Sequence, residues 1–378
     1  MCHDAVRTMA AELHLWSASY KNIPGMARGG LEVKTTMLAA VLYGKENLKI
    51  EPVAIPRVDH GDALIRVRAA LTCGTDVKVF RRGYHARMIV PPARFGHELA
   101  GDIVALGSGV TSFSVGDRVV AANSAPCGAC LYCREDRENL CEDLLFNNGA
   151  YAEYIRVPAR IVERNTYRIP DHLTYQDAAL AEPLACVLRG LEETGLRSGQ
   201  TCAVIGLGPI GLMFVRMAKV IGARVIAVGR REIQVQRAKQ MGAEDVLISS
   251  EGADVVSELR RMTGGHGVAV AIEAVGTPET WEQALGMVRR GGVVNFFGGC
   301  PGDSRVSLDT SLLHYSEITC KASFHHTPLH IRKALAAIAR REITADDLIN
   351  RVEPLAKLLD VMHALMSHNG HMKTAIIP

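Results

Sequence analysis

The stretch CAVIGLGPIG, Cys202–Gly211, decides the fold predicted for this chain. An apolar strand runs directly into glycines spaced as G-x-G-x-x-G, and Pro209 takes the first helical position, where no N–H is needed. Gly206 allows a tight turn, Gly208 lets the backbone approach a pyrophosphate, and Gly211 lets helix and strand pack closely. A purely structural glycine turn is the alternative. The residues predicted to contact a dinucleotide are Gly206, Gly208, Pro209, Ile210 and Gly211.

Short apolar strands alternate with helical segments beyond this loop. Strands are predicted at 225–228, 268–272 and 293–297, with helices at 233–241 and 278–290. This repetition predicts a parallel sheet with helices on both faces, the doubly wound α/β class. The carboxyl ends of such strands meet at one edge, where we expect them to line a nicotinamide pocket. The residues expected there are Val275, Gly276, Phe297 and Gly298.

The chain on either side of this region has a different sequence pattern. Residues 37–186 contain many short strands between glycine-rich turns, which is typical of an irregular β-barrel. Residues 1–36 show no clear period and are predicted to be a disordered N-terminal extension, with an ordered arm as the alternative. The α/β domain is predicted over 187–320. Residues 321–378 are predicted to return to the first domain.

Composition and charge exclude several classes of function. The chain has 43 Lys and Arg against 40 Asp and Glu, a formal net charge of +3, which calls for neither nucleic acid nor an anionic membrane. The longest apolar run, Cys202–Val215, is interrupted by glycines and a proline and is too short to span a bilayer. No secretory signal is evident, so we expect a cytoplasmic protein. Ten cysteines then favour metal over disulfides.

Four cysteines form one tight cluster, C-x2-C-x2-C-x7-C. Four thiolates so close in sequence can surround one tetrahedral ion without help from the rest of the fold. The spacing therefore predicts a structural zinc in a lobe over 123–145. Two disulfides or a zinc-ribbon module that binds nucleic acid are the alternatives. The ligands would be Cys127, Cys130, Cys133 and Cys141.

The residue that follows the second α/β strand indicates which cofactor is used. An acidic residue at this place would bind a ribose 2′-hydroxyl and indicate NAD. The chain instead has Gly229, Arg230 and Arg231. Glycine leaves room for a 2′-phosphate, and guanidinium groups bind phosphate in a fork. We therefore predict a preference for NADP(H) over NAD(H). The alternative is that both arginines are merely solvated and that NAD is used.

Two short motifs carry a mixed set of metal ligands. Cys73 precedes Thr75 and Asp76, and His97 and Glu98 follow Gly96. Adjacent His and Glu side chains would point to opposite faces of a regular strand, so they can converge only on an irregular turn, which glycine permits. A thiolate, an imidazole and a carboxylate are typical of an open zinc site.

These motifs resemble a known family. The pattern G-H-E-x2-G-x5-G-x2-V from Gly96 to Val110 is similar to the signature of zinc-containing alcohol dehydrogenases. With the cysteine lobe and the glycine loop, the chain resembles the zinc-dependent medium-chain dehydrogenase/reductase superfamily over about 37–378. The motif Ala181–Leu184, AEPL, resembles the branch of sorbitol and other polyol dehydrogenases, and also threonine dehydrogenase.

The resemblance implies an architecture and a site. The fold would be a GroES-like barrel joined to a Rossmann domain, in a homodimer or homotetramer with two zinc ions per subunit. The catalytic zinc would be held by Cys73, His97 and Glu98, with Glu182 as a fourth ligand or a neighbour that acts through water. Thr75 would relay the substrate proton, and Asp76 would orient the cluster.

One departure from the family pattern makes one substrate less expected. Threonine dehydrogenases have a relay histidine where this chain has Lys78, so L-threonine becomes a weaker expectation. The predicted function is transfer of a hydride between a secondary alcohol of a polyol, cyclitol or sugar and NADP(H). The alternatives are a simple secondary-alcohol dehydrogenase or carbonyl reductase, a threonine dehydrogenase-like enzyme, and a catalytically silent sensor that binds NADPH and zinc. The segment Phe324–Thr327, FHHT, is predicted to line the substrate pocket or a subunit contact.

Overall fold

The computed structural model describes residues 34–85, 88–250, 252–367 and 372–378. Of the N-terminal extension predicted over 1–36, residues 1–33 lie outside the described residues. Thr36 already belongs to the first strand. The predicted domain limits at 186/187 and 320/321 fall inside a helix and inside a strand, so they stay predictions.

The first half of the chain is a barrel-like arrangement of short strands. A seven-stranded sheet contains strands in the order β10-β6-β5-β3-β18-β17, with β9 also paired to β3, and a three-stranded sheet has the order β2-β1-β4. The elements are β1 (Thr36–Gly44), β2 (Asn47–Ala54), β3 (Ala63–Leu71), α1 (Gly74–Arg82), β4 (Ala93–Arg94), β5 (Glu98–Leu106), β6 (Arg118–Ala121), β7 (Ser124–Ala125), α2 (Leu131–Arg134), a 3₁₀ turn (Glu138–Leu140), β8 (Leu145–Phe146), β9 (Tyr154–Val157), α3 (Ala159–Asn165), β10 (Thr166–Arg168), α4 (Tyr175–Ala179) and α5 (Ala181–Thr194).

The second half is a parallel six-stranded sheet in the order β13-β12-β11-β14-β15-β16. Renumbered within the domain, this is the order 3-2-1-4-5-6 of a doubly wound dinucleotide-binding fold. The predicted α/β class is confirmed. The elements are β11 (Thr201–Ile205), α6 (Pro209–Ile221), β12 (Arg224–Gly229), α7 (Glu232–Gln240), β13 (Asp245–Ile248), α8 (Val255–Met262), β14 (Val268–Glu273), α9 (Pro278–Met287), β15 (Val288–Phe296), α10 (Thr310–Tyr315) and β16 (Thr319–Ala322).

The last described segment connects the two halves. Helix α11 packs against α5, and strand β18 pairs antiparallel with β3 of the barrel. The elements are α11 (Pro328–Ala339), α12 (Ala345–Leu348), β17 (Ile349–Pro354), a 3₁₀ turn (Leu355–Lys357), α13 (Leu358–Met366) and β18 (Lys373–Ile377). The chain thus leaves the barrel, builds the parallel sheet, and comes back to complete the barrel sheet.

The fold has two large apolar cores, one inside the barrel and one that joins the two halves. One core lies inside the barrel around Phe80, Phe95 and Tyr151. The other joins α5 to α6 and to the parallel sheet, and it reaches Leu71 at the end of β3. Helix α5 is therefore buried against both halves. Among the described residues, no helix combines the length and the apolar character that a bilayer crossing requires.

Candidate active site and metal centres

Three potential metal ligands meet where β3 ends and β5 begins. Cys73 caps the N-terminus of α1, and its sulfur accepts a hydrogen bond from the backbone N–H of Thr75 at 3.4 Å. Gly96 has φ 90°, in the left-handed region, and a Cβ there would lie 2.5 Å from the Tyr151 ring. This turn brings His97 alongside Glu98, and one ligand atom from each of Cys73, His97 and Glu98 lies within 4.8 Å of the others. The half-buried cysteine sulfur and the buried imidazole and carboxylate fit a zinc ion.

Asp76 orients this cluster from the first turn of α1. Its Oδ1 lies 3.0 Å from Nδ1 of His97, and its Oδ2 accepts hydrogen bonds from the Tyr151 hydroxyl at 2.5 Å and from the backbone N–H of Cys73 at 3.3 Å. Burial would lower the pKa of His97, but the charges of Asp76 and Cys73 outweigh it and raise that pKa. A bond at Nδ1 leaves Nε2 free for a metal, which is the usual arrangement of a ligating histidine.

A buried lysine holds the carboxylate of Glu98. Lys373 Nζ donates to Glu98 Oε1 at 2.7 Å and to Oε2 at 2.5 Å, and also to the Thr72 carbonyl at 3.0 Å. The side chains are 2% and 0% exposed, so this ion pair is fully desolvated. Burial alone would lower the pKa of Lys373, but the charges of Glu98 and Cys73 raise it, which keeps the ammonium charged. Sequence reasoning missed Lys373; its one signal is a lysine that opens an otherwise apolar strand.

Glu182 lies beside this set but groups with different residues. Its carboxylate, one ring nitrogen of His325 and one of His326 lie within 4.8 Å of one another. Burial raises the pKa of Glu182 to about 7. The charge of His97 lowers this pKa and the charge of Glu98 raises it, so Glu182 is a neighbour of the three candidate zinc ligands. Burial lowers the pKa of His325 to about 3 and that of His326 well below its usual value, so both imidazoles are neutral.

The four cysteines of the lobe form a second cluster. The sulfur–sulfur distances are 3.5 Å for Cys130–Cys133, 3.9 Å for Cys127–Cys133 and 3.9 Å for Cys130–Cys141. A tetrahedron of sulfurs with zinc–sulfur bonds of about 2.3 Å requires separations of about 3.8 Å. All four are free cysteines, and hydrogen bonds from the backbone N–H groups of Glu142 and Cys133 lower the pKa of Cys130 to about 6. The cluster fits a tetrahedral zinc.

The glycine loop lies at the carboxyl end of β11. Gly206 has φ 94°, and a Cβ on Gly211 would lie 1.7 Å from the Gly206 carbonyl oxygen, so the turn admits only glycine at both places. Gly208 caps α6, and Pro209 takes its first position. The N–H groups of Ile210 and Gly211 have no partner within the helix, and they leave its N-terminus ready for an anion.

The strand ends next to this loop are held together by one residue, Glu273, through its carboxylate and its backbone carbonyl. Oε1 of Glu273 accepts hydrogen bonds from the N–H groups of Val275 and Gly276, each at 2.8 Å. The Glu273 carbonyl accepts from the N–H groups of Phe297 at 3.0 Å and Gly298 at 2.8 Å. The four residues predicted for the nicotinamide pocket therefore surround Glu273, whose role sequence reasoning missed.

The end of β12 presents two unpaired cations. Gly229 ends the strand, Arg230 is exposed, and Arg231 caps helix α7. Neither guanidinium has a hydrogen-bond or ion-pair partner among the described residues. A carboxylate occurs only one position later, at Glu232 in the first turn of α7.

Comparisons with known proteins agree with this geometry. Residues 59–171 match the family model "Alcohol dehydrogenase GroES-like domain", and residues 209–340 match "Zinc-binding dehydrogenase". Sorbitol dehydrogenase of Bacillus subtilis (strain 168) is 34% identical over 354 residues, which cover 92% of this chain and 98% of that protein. L-threonine 3-dehydrogenase of Bacillus licheniformis is 37% identical over 258 residues, 67% of this chain and 73% of that protein.

A solved structure shows the same architecture throughout. The crystal structure of a zinc-binding dehydrogenase from Sinorhizobium meliloti 1021, bound to NADP, superimposes with a TM-score of 0.83 at 31% identity, covering 91% of this chain and 100% of that one. The predicted GroES-like and Rossmann folds and the predicted family are confirmed. The chain belongs to the zinc-dependent alcohol dehydrogenases of the medium-chain dehydrogenase/reductase superfamily, oxidoreductases that use a nicotinamide cofactor and act on small-molecule alcohols.

Proposed function

We propose that the enzyme transfers a hydride between a secondary alcohol of a polyol, cyclitol or sugar and NADP(H). One observation carries this proposal: the wall beside the three candidate zinc ligands is polar. Glu182 and His325 lie on it with Ser124 and Asn123, which hydrogen bond to His325 at 2.6 Å and to His326 at 2.9 Å. A pocket for a simple alcohol would be lined by apolar side chains. The similarity to a sorbitol dehydrogenase supports the same substrate class.

Each residue of the site has a proposed role. Cys73, His97 and Glu98 would hold the catalytic zinc, and Asp76 would keep the His97 imidazole oriented. Zinc, when bound, supplies a Lewis acid that lowers the pKa of the alcohol. The Thr75 hydroxyl, two residues after Cys73, would pass the substrate proton toward the ribose hydroxyls and solvent. The position of Glu182 with His325 and His326 supports its action through water rather than as a permanent fourth ligand.

Arg230 and Arg231 would bind the 2′-phosphate of NADP(H), with Gly229 providing room for it. Hydrogen bonds to a charged phosphate contribute about 1.5–3 kcal/mol each. We expect the double variant Arg230→Ala/Arg231→Ala to lose about a hundredfold in kcat/KM for NADP⁺ and to keep its value for NAD⁺. The matched control is Arg289→Ala, an exposed arginine at the opposite edge of the sheet. Equal losses with both cofactors would contradict this assignment.

A pair of subunits joined through β16 is the proposed assembly. This strand ends the parallel sheet, all four of its residues are exposed, and Tyr315 just before it is 78% exposed. An exposed strand edge is a template for pairing with a second chain. Light scattering of the purified protein tests this, since the mass of a single chain would overturn the proposal.

The test of the reaction is reduced-cofactor formation by zinc-replete enzyme with sorbitol, xylitol, myo-inositol, L-threonine and butan-2-ol, each with NADP⁺ and NAD⁺. We expect turnover of a polyol, faster with NADP⁺. Oxidation of L-threonine alone would make threonine dehydrogenation the function, as the similarity to a threonine dehydrogenase suggests. Oxidation of butan-2-ol alone would replace the polyol with a simple alcohol.

A further inference from the structure

The loop between β16 and α11 is fixed from several sides. Asn295 in β15 donates to the Ser323 hydroxyl at 3.0 Å. The Phe324 carbonyl accepts hydrogen bonds from Asn139, in the cysteine lobe, and from Arg189, on α5, each at 3.2 Å. The cysteine lobe, helix α5 and the parallel sheet thus all hold this loop. The position of the next residue, His325, is therefore built into the fold.

The backbone of His325 is in a conformation that side chains rarely adopt. Its φ is 65°, in the left-handed region. Glycine or asparagine would occupy this position with less strain. The hydrogen bonds that fix the loop hold His325 in this conformation.

The imidazole of His325 lies on the polar wall. Its Nε2 pairs with the Ser124 hydroxyl at 2.6 Å, and its ring lies 4.0 Å from that of His326 and 5.4 Å from that of Phe146, measured between centroids. The other ring nitrogen, Nδ1, has no hydrogen-bond partner among the described residues. The side chain is partly exposed, unlike that of His326, which is 2% exposed. Part of the ring is therefore accessible to a small molecule.

The two cationic side chains nearest this wall already have carboxylate partners. The charge of Arg189 lowers the pKa of His325, and the charge of Lys373 lowers the pKa of Glu182. Both cations are already paired, Arg189 with Glu193 at 2.9 Å and Lys373 with Glu98 at 2.5 Å. A carboxylate or phosphate on the substrate would therefore compete with a protein carboxylate here. A hydroxyl needs no counter-charge, and it can either donate to or accept from an imidazole nitrogen.

We propose that His325 is a specificity-determining residue that hydrogen bonds a second hydroxyl of the substrate, on the carbon next to the one that is oxidised. The inference rests on the proposed function, because it concerns the same pocket. This hydrogen bond would let the enzyme distinguish a neutral 1,2-diol unit from a simple alcohol and from an amino acid. His325 would contact the substrate directly, while Ser124 and His326 keep its ring in place.

The experiment compares butane-2,3-diol with butan-2-ol, which differ by one hydroxyl, in wild-type enzyme and in His325→Asn. Asparagine tolerates the left-handed backbone but is too short to replace the imidazole. We expect kcat/KM for the diol to fall about tenfold, the effect of losing one neutral hydrogen bond. The value for butan-2-ol should stay within about twofold, since it never uses the second position. Zinc content and melting temperature should match the wild type.

Two further variants make the result decisive. His266→Asn changes an exposed histidine at the far edge of the parallel sheet and should leave both substrates unaffected. Ser124→Ala keeps the His325 imidazole but removes the hydroxyl that hydrogen bonds to it. This variant should lower the diol-to-alcohol ratio of kcat/KM by a smaller factor than His325→Asn does. If His325→Asn does not fold, this second variant carries the test.

The outcomes separate the inference from the proposed function. If the wild type oxidises polyols and His325→Asn keeps the ratio of the two kcat/KM values, the inference fails and the proposed function stands. Equal losses on diol and mono-alcohol also overturn it, because they indicate a general structural role. If the wild type oxidises neither polyols nor the diol, the proposed function fails and the inference fails with it.

Discussion

The two metal-ligand clusters of this enzyme are built in opposite ways. The cysteine lobe takes all its ligands from Cys127–Cys141, and its sulfurs already lie at tetrahedral separations. The cluster of Cys73, His97 and Glu98 depends on Asp76, Tyr151 and Lys373, and Lys373 follows Glu98 by 275 residues. The first is a local structure that a metal can close by itself, whereas the second exists only when the whole fold does.

The largest effect that should separate the clusters is the loss of the predicted structural zinc. Binding of such an ion contributes about 10–16 kcal/mol to local folding. We expect Cys130→Ser to lose one zinc per chain and to open the lobe, so that trypsin cleaves after Arg134 or Arg137. Metal analysis and limited proteolysis measure this. Cys73→Ser is the control, which should lose one zinc and keep the lobe resistant. If trypsin cleaved both variants alike, the cysteine lobe would not depend on its own metal ion.

The complementary variant should lose the reaction and keep the fold. Cys73→Ser takes a ligand from the candidate catalytic zinc, and we expect kcat to fall about a thousandfold, as for other losses of charge stabilisation in the transition state. The melting temperature should stay close to that of the wild type, because Cys73 supports the helix α1 cap and serine is also a good cap. Full activity of this variant would show that the catalytic zinc is held elsewhere.

The buried ion pair predicts an effect on stability. Lys373→Met leaves Glu98 with an uncompensated buried charge, which costs about 3–5 kcal/mol in the free energy of unfolding. Denaturant titration of chelated protein measures it, and added zinc should recover part of the loss. The control is Lys357→Met, whose partner Asp360 is 3.1 Å away with side chains 60% and 72% exposed. An exposed pair contributes about 0–1 kcal/mol, so equal effects would contradict the argument.

The smallest expected effect concerns only the orientation of the His97 ring. Asp76→Asn keeps the size of the side chain but weakens the bond to His97 Nδ1. Such changes behind a ligand cost about 10–100-fold in metal affinity. Competition with a chromogenic chelator should show this weakening for the zinc ion predicted at Cys73, His97 and Glu98, and not for the one predicted in the cysteine lobe. An unchanged affinity would mean that Tyr151 and the turn at Gly96 orient the imidazole without Asp76.

The same difference explains what could be predicted from the sequence. The loop Gly206–Gly211 and the cysteine lobe are local, so spacing alone indicates their geometry. The lysine at 373 and the grouping of Glu182 with His325 and His326 depend on chain segments that meet only in the folded protein. Val275 and Phe297 were expected at this edge of the sheet, but the hydrogen bonds of Glu273 to both strand ends follow from backbone geometry that no spacing reveals.

The 275 residues between Glu98 and Lys373 also set an order of events during synthesis. The ribosome adds roughly 5–20 residues per second, so Glu98 emerges roughly 14–55 s before the lysine that neutralises it. Throughout that interval the barrel cannot close over Glu98 without burying a lone charge. The parallel sheet, complete before β18 is made, is then free to fold first. The candidate catalytic cluster therefore cannot be complete until β18, which carries Lys373, has been made.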